Sequence, residues 1–515
     1  MLRSIRRRVL VSRLRSVLFI FLTLTFAAYS GTTVGAQVGG SLTGTIKDPS
    51  GGVVPGATVT VANTVLGTTF TATTDGQGLY SFPKLPVGRY DVTVQLDGFQ
   101  TQKRTGIAVD ADGAVQINVT LEVGGQSETV TVSVNAIRVD AVSTQLGEVV
   151  PSTTMTTLSL NGRSYTDLLA IQPGVIPMTT IQSNSVIMAG VTGPVSPSGG
   201  LNPGIVSVSG QRETANGFYV NGGDVQERMN GGTGVVPNLD SIEEFRLLTN
   251  NFDPEYGNYN GGIVNVVTKS GSDKLHGNLF EFFRNTNLDA RNYFSPERAA
   301  FEQHQPGGTV GGPIKKGKIF FFGDYQATRT TQGIETGNIP VPSLAERSGD
   351  LSGIAEQLTG SVNGSYWAGV LAQRLGYPVS AGEPYYLPGC STAQQCVFPN
   401  AFVPSRAFSA PARQLLQYMP EPNAGPSTLS TGAFPQTVRD DKGSFRVDGN
   451  SRLGLMTGYY FVDDYRLSNP YPGQQGGANV PGFDALTLGR AQLWSFEDAK
   501  PFGRPTSLWL WVRLA

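Results

Sequence analysis

Residues 250–285 constrain the fold of this chain more than any other segment. Within them, Gly262-Ile263-Val264-Asn265-Val266-Val267-Thr268 is a β-branched run bounded by Gly261 and by Ser270-Gly271. That pattern predicts a strand flanked by turns. A short polar turn over residues 270–273 follows, and then an aromatic-rich segment with Phe280, Phe282 and Phe283. The rest of the chain agrees with this strand-and-turn economy. Glycine accounts for 65 of 515 residues and charged residues for only 15%, against a usual glycine share of about 7%. A chain of 515 residues exceeds one ordinary domain, so about three are expected. The net charge of −1 offers no electrostatic footprint for nucleic acid, and that class of partner is set aside.

The first 36 residues read as an export signal. Arg3, Arg6, Arg7, Arg8, Arg13 and Arg15 precede an apolar stretch over residues 17–28, and Val34-Gly35-Ala36 supplies small residues ahead of Gln37. The apolar stretch is about a dozen residues, whereas a spanning helix needs about 20. Gln37, not a cysteine, stands directly after the cleavage position, so no lipid anchor is expected there. The mature chain has no other long apolar run, so membrane insertion must use strands. The two cysteines, Cys390 and Cys396, form an even, closely spaced pair in an exported chain and read as a disulfide closing a small surface loop. A zinc site would need two more ligands, and His276 and His304, the two histidines, are remote in sequence.

Residues 38–123 show short alternating strands separated by turns. Leu42, Gly44 and Ile46 alternate with polar neighbours, as do Ala57, Val59 and Val61, and Tyr90, Val92 and Val94. This spacing predicts a small β-sandwich. Gly44-Thr45-Ile46-Lys47-Asp48, Pro55-Gly56-Ala57, Thr74-Asp75-Gly76, Gly78-Leu79-Tyr80 and Leu85-Pro86-Val87-Gly88-Arg89-Tyr90 resemble the carboxypeptidase regulatory-like domain, whose fold is a transthyretin-like sandwich. The stretch has no His and no Cys, so it cannot build a typical catalytic zinc site. The resemblance implies a spacer or docking domain, with carbohydrate contact as the other option.

Residues 124–136 read as a linker carrying Glu128, Thr129, Val130, Thr131 and Val132, which resemble a TonB box. A strand-prone segment after a flexible join can donate its backbone hydrogen bonds to a partner strand. Alternating Thr and Val is also the pattern of any edge strand. Residues 137–270 resemble the plug of a TonB-dependent outer-membrane receptor. The similarity rests on Asn161-Gly162-Arg163 with Tyr165, Leu168 and Leu169, on Pro173-Gly174-Val175, on Val206-Ser207-Val208, on Phe218-Tyr219-Val220-Asn221-Gly222-Gly223, and on Asn238-Leu239-Asp240-Ser241-Ile242. Residues 183–202 form a Gly/Ser/Pro-rich loop between these motifs.

From residue 271 onward the pattern becomes that of a transmembrane β-barrel. Gly323, Tyr325 and Ala327 alternate with Asp324, Gln326 and Thr328, one face for lipid and one for the lumen. Residues 444–448 and 458–462 repeat this less cleanly, and residues 341–437 read as long extracellular loops. Gly307-Gly308-Thr309-Val310-Gly311-Gly312-Pro313-Ile314, ahead of the aromatic strand, is similar to the Oar-like subfamily, which carries the same N-terminal sandwich. Two motifs are set aside. Gly312 to Lys318 fits most of a phosphate-binding loop, but Ile319 stands where Ser or Thr should hold magnesium. Asp110-Ala111-Asp112-Gly113 lacks the further acids of a calcium loop and reads as a turn.

The expected architecture is therefore mainly β: a transthyretin-like sandwich, an α+β plug and a partial antiparallel transmembrane barrel over residues 271–515. The resemblance implies an outer-membrane receptor that imports an extracellular ligand through TonB and its inner-membrane energising complex. The sandwich would lie in the periplasm and the barrel in outer-membrane lipid. No catalytic residue, metal or cofactor is expected. The alternative is a surface adhesion or carbohydrate-binding protein. Fewer than half of the residues follow Ser270, which at about 10 residues per strand plus loops supplies only part of a plugged barrel of about 22 strands. With the loss of alternation at residues 507–515, this predicts a C-terminally incomplete barrel, from truncation or a frameshift.

Overall fold

A computed structural model describes residues 38–124, 129–133, 143–158, 160, 162–177, 186–188, 191–192, 205–227, 231–290, 298, 300–334, 338–430, 434–451, 454–471, 482–499 and 510–514. The expected signal peptide over residues 1–36 and Glu128 lie outside them, as does most of the loop at residues 183–202.

The N-terminal unit is a two-sheet sandwich of Gly40–Lys47 (β1), Thr58–Asn63 (β2), Thr69–Thr73 (β3), Leu79–Leu85 (β4), Gly88–Gln95 (β5), Thr101–Val109 (β6), Ala114–Gln116 (β7), Val119–Thr120 (β8) and Thr129–Ser133 (β9). One sheet runs β4-β1-β7 with β8 also on β1, and the other runs β3-β2-β5-β6-β9. Period-two patterning drives this arrangement. Val59 faces Val94 and Val61 faces Val92 across β2 and β5, and all four are fully buried with Leu42, Ile46 and Tyr90. Burying each such side chain contributes about 1.5–3 kcal/mol. Gly44 is required by packing, since a Cβ there would lie 1.8 Å from the Ile117 carbonyl oxygen. The second sheet continues past residue 123: β9 pairs in parallel with β6, with Thr131 opposite Lys103. The alternating Thr/Val segment thus occupies an edge-strand position here.

The plug is built on Leu146–Pro151 (β10), Val175–Pro177 (β11), Val186–Met188 (β12), Val191–Thr192 (β13), Val206–Val208 (β14), Gly217–Val220 (β15), Gly223–Asp224 (β16), Ile242–Asn250 (β17) and Ile263–Thr268 (β18). Its central sheet runs β10-β17-β18-β15-β16, with β15 parallel to β18. The β-branched run that opened the argument is β18, the middle strand of that sheet. Central strands are covered on both faces, and Ile263, Val264, Asn265 and Val266 are all buried. The short helix expected near Leu168 is a 3₁₀ turn over Tyr165–Ile171, which sets Tyr165, Leu168 and Leu169 into the plug core beside Phe218, Phe245 and Leu247.

Seven antiparallel strands follow. His276–Asn285 (β19), Phe301–Lys315 (β20) and Ile319–Ile334 (β21) are separated from Phe434–Ser451 (β24), Gly454–Asn469 (β25), Ala485–Ala499 (β26) and Leu510–Leu514 (β27) by an insert containing the short pair Asn338–Pro340 (β22) and Thr428–Ser430 (β23). The sheet order is β19-β20-β21-β24-β25-β26-β27, an open wall among the described residues. Leu510–Leu514, where alternation failed, nonetheless pairs with β26. Asp324, Gln326 and Thr328 face the plug, while Tyr325 points outward. Residues 444–448 and 458–462, whose alternation was weaker, sit inside strands of 18 and 16 residues. Glycine and charge interrupt their apolar face, which is why the pattern understated them. Gly312 to Lys318 forms the β20–β21 turn, closed by the Lys318 amide donating to the Lys315 carbonyl at 2.9 Å.

The connection between β21 and β24 is more than loop. The helix Gly364–Leu375 packs Ala368 and Leu375 against Val362, Val397 and Phe398 in a core of its own. Cys390 and Cys396 are disulfide-bonded beside that core.

Candidate functional site: the plug and its two contacts

The sandwich meets the plug through the turn Asp110-Ala111-Asp112-Gly113, which the sequence marks only as a turn. Asp112 adopts φ of 51°, and its carboxylate accepts the Tyr256 hydroxyl at 2.6 Å and the Asn265 amide of β18. On either side, the Ala111 amide donates to Glu244 Oε1 at 2.6 Å and Arg246 Nη1 donates to the Ala111 carbonyl at 2.9 Å. An ion pair between Lys84 and Glu255, 2.8 Å, borders the contact. Burial pushes the Asp112 carboxyl above its ordinary value, opposed by its hydrogen bonds to Tyr256 and Asn265. The turn therefore serves as a docking knuckle. No sequence spacing could reveal this, because Tyr256 lies 144 residues away.

On its other side the plug meets the barrel wall through polar groups. Arg163, at φ of 55° in the turn after Gly162, pairs with Asp240 in a buried ion pair. Its guanidinium stacks over the rings of Phe282 and Phe280 on β19, at 3.9 and 4.7 Å to their centroids. Asn278 donates to the other Asp240 oxygen at 3.1 Å. Asn238 donates to Asp324 on β21 and to the Lys442 carbonyl on β24. Arg446 of β24 donates to the Thr268 carbonyl at 2.7 Å. Apolar contact is added where Tyr459, Phe461 and Leu493 join the plug core. A plug seated on hydrogen bonds can trade them for water, which an apolar seal cannot do without losing buried area.

Of the residues singled out from sequence, Thr129 to Val132 lie in β9 at the sandwich edge, paired with β6. The Cys390–Cys396 pair lies in the β21–β24 insert. Among the described residues no group of three or more His, Cys, Asp or Glu is gathered as metal ligands. No described helix is long and apolar enough to cross a membrane, which leaves crossing by strands untouched.

A plug set against an antiparallel wall of long strands, with an apolar face turned away from the plug, defines a plugged outer-membrane β-barrel protein. Comparison with known proteins agrees. Residues 267–500 match the outer membrane beta barrel domain, and residues 41–122 match the carboxypeptidase regulatory-like domain. The chain is 25% identical over 279 residues to the TonB-dependent transporter Oar of Myxococcus xanthus, covering 51% of this chain and 25% of that protein. Among solved structures, it is similar to the siderophore receptor PirA of Acinetobacter baumannii, with 14% identity, 70% of this chain, 46% of that one and a TM-score of 0.32. The ferric enterobactin receptor PfeA of Pseudomonas aeruginosa gives 14%, 69%, 46% and 0.31.

The chain is accordingly a homologue of the TonB-dependent transporter Oar with an outer membrane beta barrel domain, which indicates a location in the outer membrane of a Gram-negative-type bacterium. It spans about a quarter of the length of that transporter relative and under half of each of those receptors. The adhesion or carbohydrate-binding alternative draws no support from the relative Oar, a transporter.

Proposed function

We propose that this chain is the sandwich, plug and first wall of a receptor that takes up an extracellular ligand by TonB-dependent, energy-coupled transport, without catalysis. Glu128, Thr129, Val130, Thr131 and Val132 form the TonB-binding segment, and the sandwich lies in the periplasm. The observation that carries the reading is the position of β9. It is the terminal strand of its sheet, paired on one edge to β6, with no described strand on the other. An edge of this kind offers its backbone groups to an incoming strand, and TonB would add there or exchange with β6. Force on β9 would then reach the sandwich, whose Asp112 knuckle grips the plug through Tyr256 and Asn265.

The test is co-purification of TonB with the wild-type chain and with Val130→Pro. Proline removes an N–H that strand pairing needs, so TonB retention should fall sharply. Unchanged retention overturns the assignment of this segment.

A further inference from the structure

The outward face of the barrel wall carries a row of basic side chains in direct register. His304 of β20 lies opposite Arg329 of β21, Arg329 opposite Arg439 of β24, and Arg439 opposite Arg466 of β25. Like charges directly opposed across strands are destabilising, so such a row calls for compensation. Asp441 supplies part of it, at 2.6 Å from Arg329 and 2.7 Å from Arg439, and His304 lies within 3.2 Å of Glu281 and Glu302. Arg466 makes no ion pair with any described residue. The three guanidiniums, with His304, Thr437 and Ser468, surround an open depression of about 480 Å³ in which Glu302 is the one carboxylate.

The position of the row matters as much as its charge. The row lies toward the strand ends from which the longer connections depart, opposite the tight β20–β21 turn. Short turns face the periplasm in outer-membrane barrels and long connections face outside. Below the row, on the same face, stand Tyr325, Phe445, Tyr460 and Trp494. Tyr325, Phe445 and Trp494 are about half exposed, and Trp494 packs at a tilt against Tyr460 with ring centroids 4.0 Å apart. Arg329 is four residues beyond Tyr325, roughly 13 Å along the strand at about 3.3 Å per residue. The row therefore rises just above an aromatic, lipid-facing band, at the level of the outer-leaflet headgroups.

We propose that Arg329, Arg439 and Arg466 form a binding site for a phosphorylated headgroup of an outer-leaflet lipid. Guanidiniums match phosphate oxygens with paired N–H donors. An acyl chain attached to that headgroup would lie down the aromatic band beneath it. The ligand supplies the negative charge that the described protein leaves short around Arg466. Arginines at this depth add little insertion penalty, since the cost of charge on the lipid face falls to about 0–1 kcal/mol near the interfaces.

The experiment uses the full chain, extracted from outer membranes and reconstituted in phosphatidylcholine vesicles with or without a small fraction of lipid A, a bis-phosphorylated glycolipid. Lipid A retained on the protein is measured by mass spectrometry. The wild type should retain it. Arg466→Gln should weaken retention about five-fold and Arg439→Gln/Arg466→Gln about twenty-five-fold, at about 1 kcal/mol per surface arginine. Arg466→Lys keeps the charge and should stay within a few-fold of wild type, with strand content by circular dichroism confirming that each variant folds. Undiminished retention in the double variant overturns the proposal. Displacement of lipid A by millimolar inorganic phosphate also overturns it, because the site would then belong to a free anion rather than to a lipid.

Discussion

The Asp112 carboxylate of the sandwich accepts a hydrogen bond from the Tyr256 hydroxyl of the plug at 2.6 Å. Tyr256 is buried and Asp112 half-buried in the contact, and the Asn265 amide converges on the same carboxylate. Two domains recognisable separately in the sequence are thereby joined by a polar knuckle.

Asp112→Ala should loosen that joint. It leaves the Tyr256 hydroxyl without its carboxylate acceptor and removes one partner of Asn265, at about 1–3 kcal/mol for each buried polar group left unpaired. Exchange protection of the Ala111 amide, which donates to Glu244 across the interface, reports the loss directly. The pH dependence has a definite sign. Burial raises Asp112 above 3.8 in the docked form, so docking holds its proton more tightly than the undocked turn does. Its contribution is greatest below 3.8 and diminishes as pH rises from there through the raised docked value. Asp112→Asn should remove this component. The difference between wild type and Asp112→Asn isolates it from Glu244, which is present in both. A difference that does not change with pH would refute the assignment.

Arg163 makes a second prediction. It is buried with Asp240 and capped by Phe280 and Phe282 of the first barrel strand. Arg163→Ala strands the Asp240 charge in a buried site, and breaking such a pair costs about 3–5 kcal/mol. The plug should then lose exchange protection along Ile242–Asn250 while the sandwich strand Gly88–Gln95 keeps its own. Arg163→Lys should recover only part of the loss, since an ammonium lacks the planar fork with which the guanidinium lies over the rings while pairing with the carboxylate.

What sequence made legible follows the range of the physics. Period-two alternation marked β1, β2 and β5 because their burial is decided by immediate neighbours on the same strand. The same holds for β18, whose β-branched run is central to the plug sheet. Barrel strands such as β24 were fainter, because Lys442 and Arg446 face the plug side, where an isolated strand shows only scattered charge. The contact residues were not legible at all. Asp112 with Tyr256 and Arg163 with Asp240 are ordinary residues of turns and short 3₁₀ segments until the fold brings them together. The arginine row is likewise invisible along the chain, since Arg329 and Arg439 are 110 positions apart and meet only through strand register. The sequence also suggested loops where the insert builds a helix and a small core, because its apolar residues are spaced by turns rather than by strands.

The Cys390–Cys396 disulfide should stabilise that insert and nothing else. It closes a loop with a sequence separation of 6, for which the chain-entropy relation gives about 2 kcal/mol. Cys396 is fully buried and adjoins Val397 and Phe398, which pack on Ala368 and Leu375 of the helix Gly364–Leu375. Loss of the bridge is therefore transmitted to that helix. In Cys390→Ser/Cys396→Ser, exchange protection of the helix should drop roughly 30-fold, the equivalent of about 2 kcal/mol. Trypsin should also reach Arg374 sooner, since among the described residues its guanidinium is held by the Ala407 carbonyl alone, at 3.2 Å. Protection along β21 and β24 should stay unchanged, because their ladder of paired residues runs from Ile319 to Ile334 without passing through the insert. A parallel loss of protection in those strands would show that the insert braces the barrel wall, contrary to the separate core it builds here.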